Sequence, residues 1–154
     1  MAKHIQKLNY EFKYKDRSIE GVMVLDLGRF ERQYDRAQYE LDSMVMTSMI
    51  PFMPKDTGTF INVTQGMSQS LAGSGIVVAA APPMGRFLYE GEVMVGATSG
   101  SAFAMKGEKK VATGARLQYS THANPKATDH WFDAAKSAHG RQWVKKTKKL
   151  AGGG

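Results

Sequence analysis

The run DLGRFERQYDRAQYELDSMVMTSMIPFMP, residues 26–54, decides the fold. Taken at helical spacing, Leu27, Phe30, Tyr34, Ala37, Leu41, Met44, Val45 and Ser48 fall on one stripe, at steps of three and four. The opposite face carries Arg29, Glu31, Arg32, Asp35, Arg36, Glu40 and Asp42, so the pattern predicts an amphipathic helix over 26–49. Asp26 is placed to cap its start, and Pro51 ends it by removing an amide donor and displacing Ile50 from helical dihedrals. At about 1.5 Å per residue such a helix spans roughly 35 Å, the width of a small domain. The remaining chain must cover its apolar stripe.

Working outward, Leu8, Tyr10, Phe12 and Tyr14 alternate with Asn9, Glu11 and Lys13, which predicts a half-buried strand. After a turn at residues 15–18, Ile19–Leu25 returns as a second strand. A helix running from Ser18 into the long one competes with that reading, and Gly21 and Val22-Met23-Val24 disfavour it. Downstream, Thr59–Thr64, the apolar run Ile76–Ala81 and Leu117–Thr121 each read as a strand. Asn124 and Pro125 carry the signature of a helix start, with Phe132, Ala135, His139, Trp143 and Leu150 forming the stripe and Gly140 in its middle. Residues 96–116, rich in Gly, Ala, Ser and Thr, read as an extended flexible arm. The expected fold class is α+β: helices over 26–49 and 125–148 on one face of a small, mainly antiparallel sheet built from 59–64, 76–81 and 117–121. The 154 residues are expected to form one domain, with an N-terminal strand or hairpin at 1–25 and a basic tail at 141–154.

Composition narrows the class further. No apolar run approaches the roughly 20 residues of a membrane-spanning helix, and the first residues lack the apolar centre of a signal peptide. The absence of cysteine excludes disulfides and thiolate metal ligands. The net charge is +7, and Arg141, Lys145, Lys146, Lys148 and Lys149 lie in a ten-residue stretch without an acid. Removing those five leaves about +2 for the rest of the chain, so the basic character belongs to one end. That end is either a solvated helix face or a strip that meets phosphates.

The candidate chemistry is sparse. Asp56-Thr57-Gly58 matches the string at an aspartic protease carboxylate, but that chemistry needs two facing carboxylates, so one copy per chain would require a dimer. It follows Met53-Pro54-Lys55 rather than an apolar strand, and the simpler reading is a turn in which Asp56 accepts local amides. His122, His130 and His139 have no carboxylate or histidine at a ligand spacing, and Gly73-Ser74-Gly75 lacks the third glycine of a nucleotide loop. No catalytic, metal or cofactor site is expected.

From Pro54-Lys55-Asp56-Thr57-Gly58-Thr59-Phe60 onward the chain resembles a family of tailed-phage minor capsid proteins that act in head–tail joining, the neck or tail-completion proteins. The resemblance continues through Phe60-Ile61-Asn62-Val63-Thr64, Ala81-Pro82-Pro83-Met84-Gly85-Arg86-Phe87-Leu88-Tyr89-Glu90-Gly91 and His122-Ala123-Asn124-Pro125-Lys126-Ala127-Thr128-Asp129-His130-Trp131-Phe132, in order and spacing over residues 28–150. It implies a non-catalytic virion protein, made in the host cytoplasm, that forms a six-fold or twelve-fold ring between the portal side of the capsid and the tail. A tail-terminator or capsid-shell role is the alternative, and a dimeric protease acting through Asp56 a remote one. The implied partners are further copies of itself, neighbouring connector and tail proteins, and packaged double-stranded DNA, with no membrane. Under this reading Arg141, Lys145, Lys146, Lys148 and Lys149 would face DNA in the ring lumen, and Arg86, Phe87, Tyr89 and Glu90 would lie at a subunit interface.

Overall fold

The computed structural model describes the backbone of residues 10–15 and 20–25 and all of residues 28–153. Strands β1 (Tyr10–Lys15) and β2 (Glu20–Leu25) pair antiparallel, with Tyr10 opposite Leu25 and Lys15 opposite Glu20, as the alternation predicts. Helix α1 (Gly28–Met49) follows, and a single 3-10 turn over Ile50–Phe52 accommodates Pro51. The cap expected at Asp26 and the stripe position Leu27 lie outside the described residues.

The chain is α+β, but the strands after α1 are not where the apolar runs place them. Thr59–Thr64 is the first half of helix α2 (Thr59–Ser70), not a strand. Its buried positions are Ile61, Thr64 and Ser68, at helical steps of three and four, so one face is covered despite the β-branched residues. Ile76–Ala81 is irregular, bent at Ala79–Ala80 and passing from an exposed Ile76 to a buried Ala81, and among the described residues it pairs with no strand. Leu117–Thr121 is irregular, tied back by the Leu117 amide to the Gly91 carbonyl and by the Tyr119 hydroxyl to the Leu88 carbonyl. The second antiparallel pair is instead β3 (Glu92–Gly96) with β4 (Lys110–Arg116), which follows the short helix α3 (Gly85–Glu90). The expected arm at 96–116 is therefore extended, but it is the end of a hydrogen-bonded hairpin rather than a structureless loop.

The last helix, α4, spans Trp131–Leu150, six residues later than its capping signature predicts, and runs through Gly140 without interruption. Asn124 caps nothing. Its side-chain amide donates instead to the carbonyls of Ile50 and Met53, at 2.9 and 2.8 Å, and the Thr128 amide reaches the Phe52 carbonyl. The segment before α4 is thus fastened to the turn after α1. His130, at φ 44°, makes the bend into the helix.

Among the described residues the long helices pack chiefly on each other rather than on a sheet. Helix α1 lies along α4, and α2 crosses beside it. The core comprises Val45, Met46, Met49, Met53, Ile61, Trp131, Ala135 and Trp143. Trp131 is fully enclosed, with Phe60 and Tyr89 edge-on at 5.9 and 4.9 Å between ring centroids. Such edge-to-face pairs add to simple area burial. Both indoles find acceptors: Trp131 Nε1 donates to the Ala79 carbonyl, and Trp143 Nε1 to Ser48 Oγ.

The buried face of α1 is shifted from the expected stripe. Phe30 and Tyr34 are about half exposed, whereas Asp42, assigned to the solvent face, is buried. The cause is the turn at residues 72–75, which folds over that side of α1. Asp42 Oδ2 accepts the amides of Gly73 and Gly75 at 2.8 and 3.0 Å, and Oδ1 accepts Gln38 Nε2 at 2.7 Å. A buried carboxylate with three donors is satisfied, and removing it releases the exposed turn from α1. Asp42→Ala is expected to cost about 2 kcal/mol in urea unfolding, since a hydrogen bond to a charged group contributes roughly 1.5–3 kcal/mol and the freed glycine amides, on an exposed turn, can bond water instead. A change within about 0.5 kcal/mol, the range of neutral surface substitutions, would show that the turn does not depend on this carboxylate.

Candidate functional site

Two surface features emerge from this framework. The first is the cationic face of α4. Arg141, Lys145, Lys146, Lys148 and Lys149 are all exposed, and among the described residues none forms an ion pair. Positions 141, 145, 148 and 149 share one helix face by their spacing of four, seven and eight, while Trp143 points inward to the core. Arg141 and Lys148, together with Lys136, border an apolar groove of about 1010 Å³ between α1 and α4, floored by Leu41, Val45, Phe132 and Val144. Lys146 lies on the other side, near Glu40 and Gln142.

The second feature is the β3–β4 hairpin and its connecting loop. Glu108 organises the loop: one carboxylate oxygen accepts the Thr98 and Ser99 amides at 2.8 and 2.6 Å, and the other the Met105 amide and Ser99 Oγ at 2.7 and 2.9 Å. The Lys110 ammonium donates to the Ala102 carbonyl and sits 4.9 Å from the Phe87 ring centroid. Gly96 is required beneath this network, because a Cβ there would fall on Ser99 Oγ and the Glu108 carboxyl. The result is a stiff loop that carries Phe103 and Met105 outward, 89 % and 70 % exposed. Neither residue stands out in the sequence, where a single phenylalanine among small residues carries no periodicity.

The four residues assigned to an interface lie on α3 and serve different purposes. Arg86 and Glu90 are exposed; Phe87 is half-buried under Lys110. Tyr89 packs on Trp131 and His130 within its own chain, and burial, with Asp133 and Glu90 nearby, raises the pKa of its phenol. At the hairpin base Arg116 meets Asp129 at 3.0 Å, and His130 Nε2 lies 3.6 Å from Glu90. Asp56 is exposed in the bend before Gly58, which takes φ 87° and begins α2. Among the described residues no cluster of three His, Asp or Glu side chains is arranged to hold a metal, and no helix is long and apolar enough to cross a membrane.

The Glu108 network has a pH signature. Amide donation from Ser99, then from Met105 and Thr98, pulls the carboxyl down to about 2. A lowered folded-state pKa means its stabilising effect is present above the ordinary carboxylate range of about 4.3 and is lost as pH falls towards 2. Relative to the intrinsic exchange rate at each pH, loop amides 98, 99 and 105 are therefore expected to be protected at pH 5 and to lose that protection near pH 2, and in Glu108→Gln to be unprotected at both. Unchanged protection in Glu108→Gln would show that the ladder alone holds the loop.

No family model, curated protein or solved structure matches this chain.

Proposed function

We propose that this chain is a structural virion protein of a tailed phage, a ring-forming head–tail connector or neck subunit that joins the portal side of the capsid to the tail. The sequence resemblance motivates the reading, and the observation that carries it is the stiff hairpin with Phe103 and Met105 at its tip. Two large apolar side chains held away from the protein's own core gain nothing for an isolated chain and serve contact with another one. Pre-organising the loop through Glu108 lowers the entropy lost on docking.

The α4 cations give the second half of the reading. Duplex DNA carries about one charge per 1.7 Å of axis, and exposed cations repeated around a ring would meet its phosphates without reading sequence. Replacing Lys145, Lys146, Lys148 and Lys149 with Gln is expected to leave far-ultraviolet circular dichroism and assembly unchanged. Duplex binding in low salt should weaken, and the slope of log affinity against log salt should fall in magnitude by up to about 3.6, at roughly 0.9 for each phosphate no longer neutralised. Loss of assembly with DNA binding intact would instead make α4 a contact between subunits. The location is tested by labelling particles against this chain: density at the neck supports the proposal, and density on the shell or at the distal tail overturns it.

A further inference from the structure

The neck reading leaves open which surfaces join one copy to the next. Among the described residues, two apolar surfaces on helices compete as the place where the hairpin tip could dock. One is the groove between α1 and α4; the other is the outer face of α2, where Val63, Met67 and Leu71 follow at steps of four and are 45 %, 38 % and 37 % exposed. They differ sharply in charge. The groove is bordered by Lys136, Arg141 and Lys148. The α2 face lies in a stretch without a single charged residue between Asp56 and Arg86.

The tip itself is basic: Phe103 and Met105 are followed by Lys106 and Lys109, while the only acid of the loop, Glu108, is saturated by its own backbone donors. Brought against the groove, the two lysines would meet three further cations, a like-charge juxtaposition that opposes docking. Brought against α2, they remain at the solvated rim while the apolar pair meets a row of apolar side chains. Contact centres between proteins are depleted in charge and enriched in aromatic residues and methionine, as here.

We propose that the β3–β4 tip of one copy docks, through Phe103 and Met105, on the Val63–Met67–Leu71 face of α2 in the next copy. Tip and face are different surfaces of one chain, so the contact is head-to-tail, and it closes a ring where the rotation between copies permits. This rests on the neck reading for its expectation of a closed ring.

The chain has no cysteine, so introduced thiols report contacts cleanly. Phe103→Cys combined with Met67→Cys in one chain is oxidised under mild conditions, beside Phe103→Cys combined with Val144→Cys, which places the second thiol at the groove. All three positions are exposed, so neither pair disturbs the core. The expected result is a ladder of covalent oligomers for the Met67 pair, at least tenfold above the Val144 pair. A second measurement, sedimentation of Phe103→Asp, should show assembly at least tenfold weaker than wild type with unchanged circular dichroism. No ladder, an equal ladder from the groove pair, or undiminished assembly of Phe103→Asp overturns the docking assignment. If labelling nevertheless finds the chain at the neck, only the docking assignment falls; a Met67 ladder from a chain found elsewhere in the particle overturns the neck location instead.

Discussion

Among the described residues the backbone of 73–81 has no neighbouring strand, and the packing of the protein depends on what replaces one. Asp42 from α1 takes the amides of Gly73 and Gly75. Ser68 from α2 both donates to the Val78 carbonyl and accepts its amide, and Thr64, fully buried, accepts the Ala81 amide at 3.1 Å. Trp131 from α4 donates to the Ala79 carbonyl. Four side chains from three helices thus fasten the exposed start of the segment at Gly73 and Gly75 and pair peptide groups of its covered part, Val78, Ala79 and Ala81. The same bonds hold the three helices in register. The chain then makes its cis Pro82–Pro83 step and turns into α3, where Gly85 lies so close to Ala80 that a Cβ would strike the backbone.

This arrangement explains where sequence pattern succeeds and where it misleads. Helix α1 and the first hairpin are legible because long periodicity and clean alternation mark elements of their own length. Helix α4 is legible in its stripe but not in its start, since Asn124 spends its side chain on Ile50 and Met53 rather than on a cap. Residues 59–64 and 76–81 are the instructive cases. Each looks like a strand over six residues, yet the covered face of α2 includes Thr64 and Ser68, polar residues that a hydrophobicity pattern assigns to solvent. Their burial follows from a partner segment that local sequence does not reveal. Asp42 is hidden for the same reason.

The surface divides similarly. The α4 cations are read directly from composition, because five cations and no acid in ten residues need no tertiary information. The hairpin tip could not be read that way. Small residues and glycines at 96–116 signal a lack of core-forming side chains, and that is correct, but one carboxylate supplies four local hydrogen bonds and stiffens the loop without any core. Order without burial leaves Phe103 and Met105 displayed on a hydrogen-bonded loop. The uncharged stretch from residue 57 to 85 and the cationic α4 then give one small chain two chemically distinct surfaces, one suited to apolar docking and one to polyanions.

Hydrogen exchange on the free, unassembled chain tests the central constraint most directly. The amides of Gly73, Gly75, Val78 and Ala81 donate to side chains rather than to a strand, so their protection reports those bonds alone. Protection of the same order as that of the core-facing amides of α1 around Val45 and Met49 is the predicted result. Exchange of these four amides at the rate of an unstructured peptide, with α1 still protected, would contradict it.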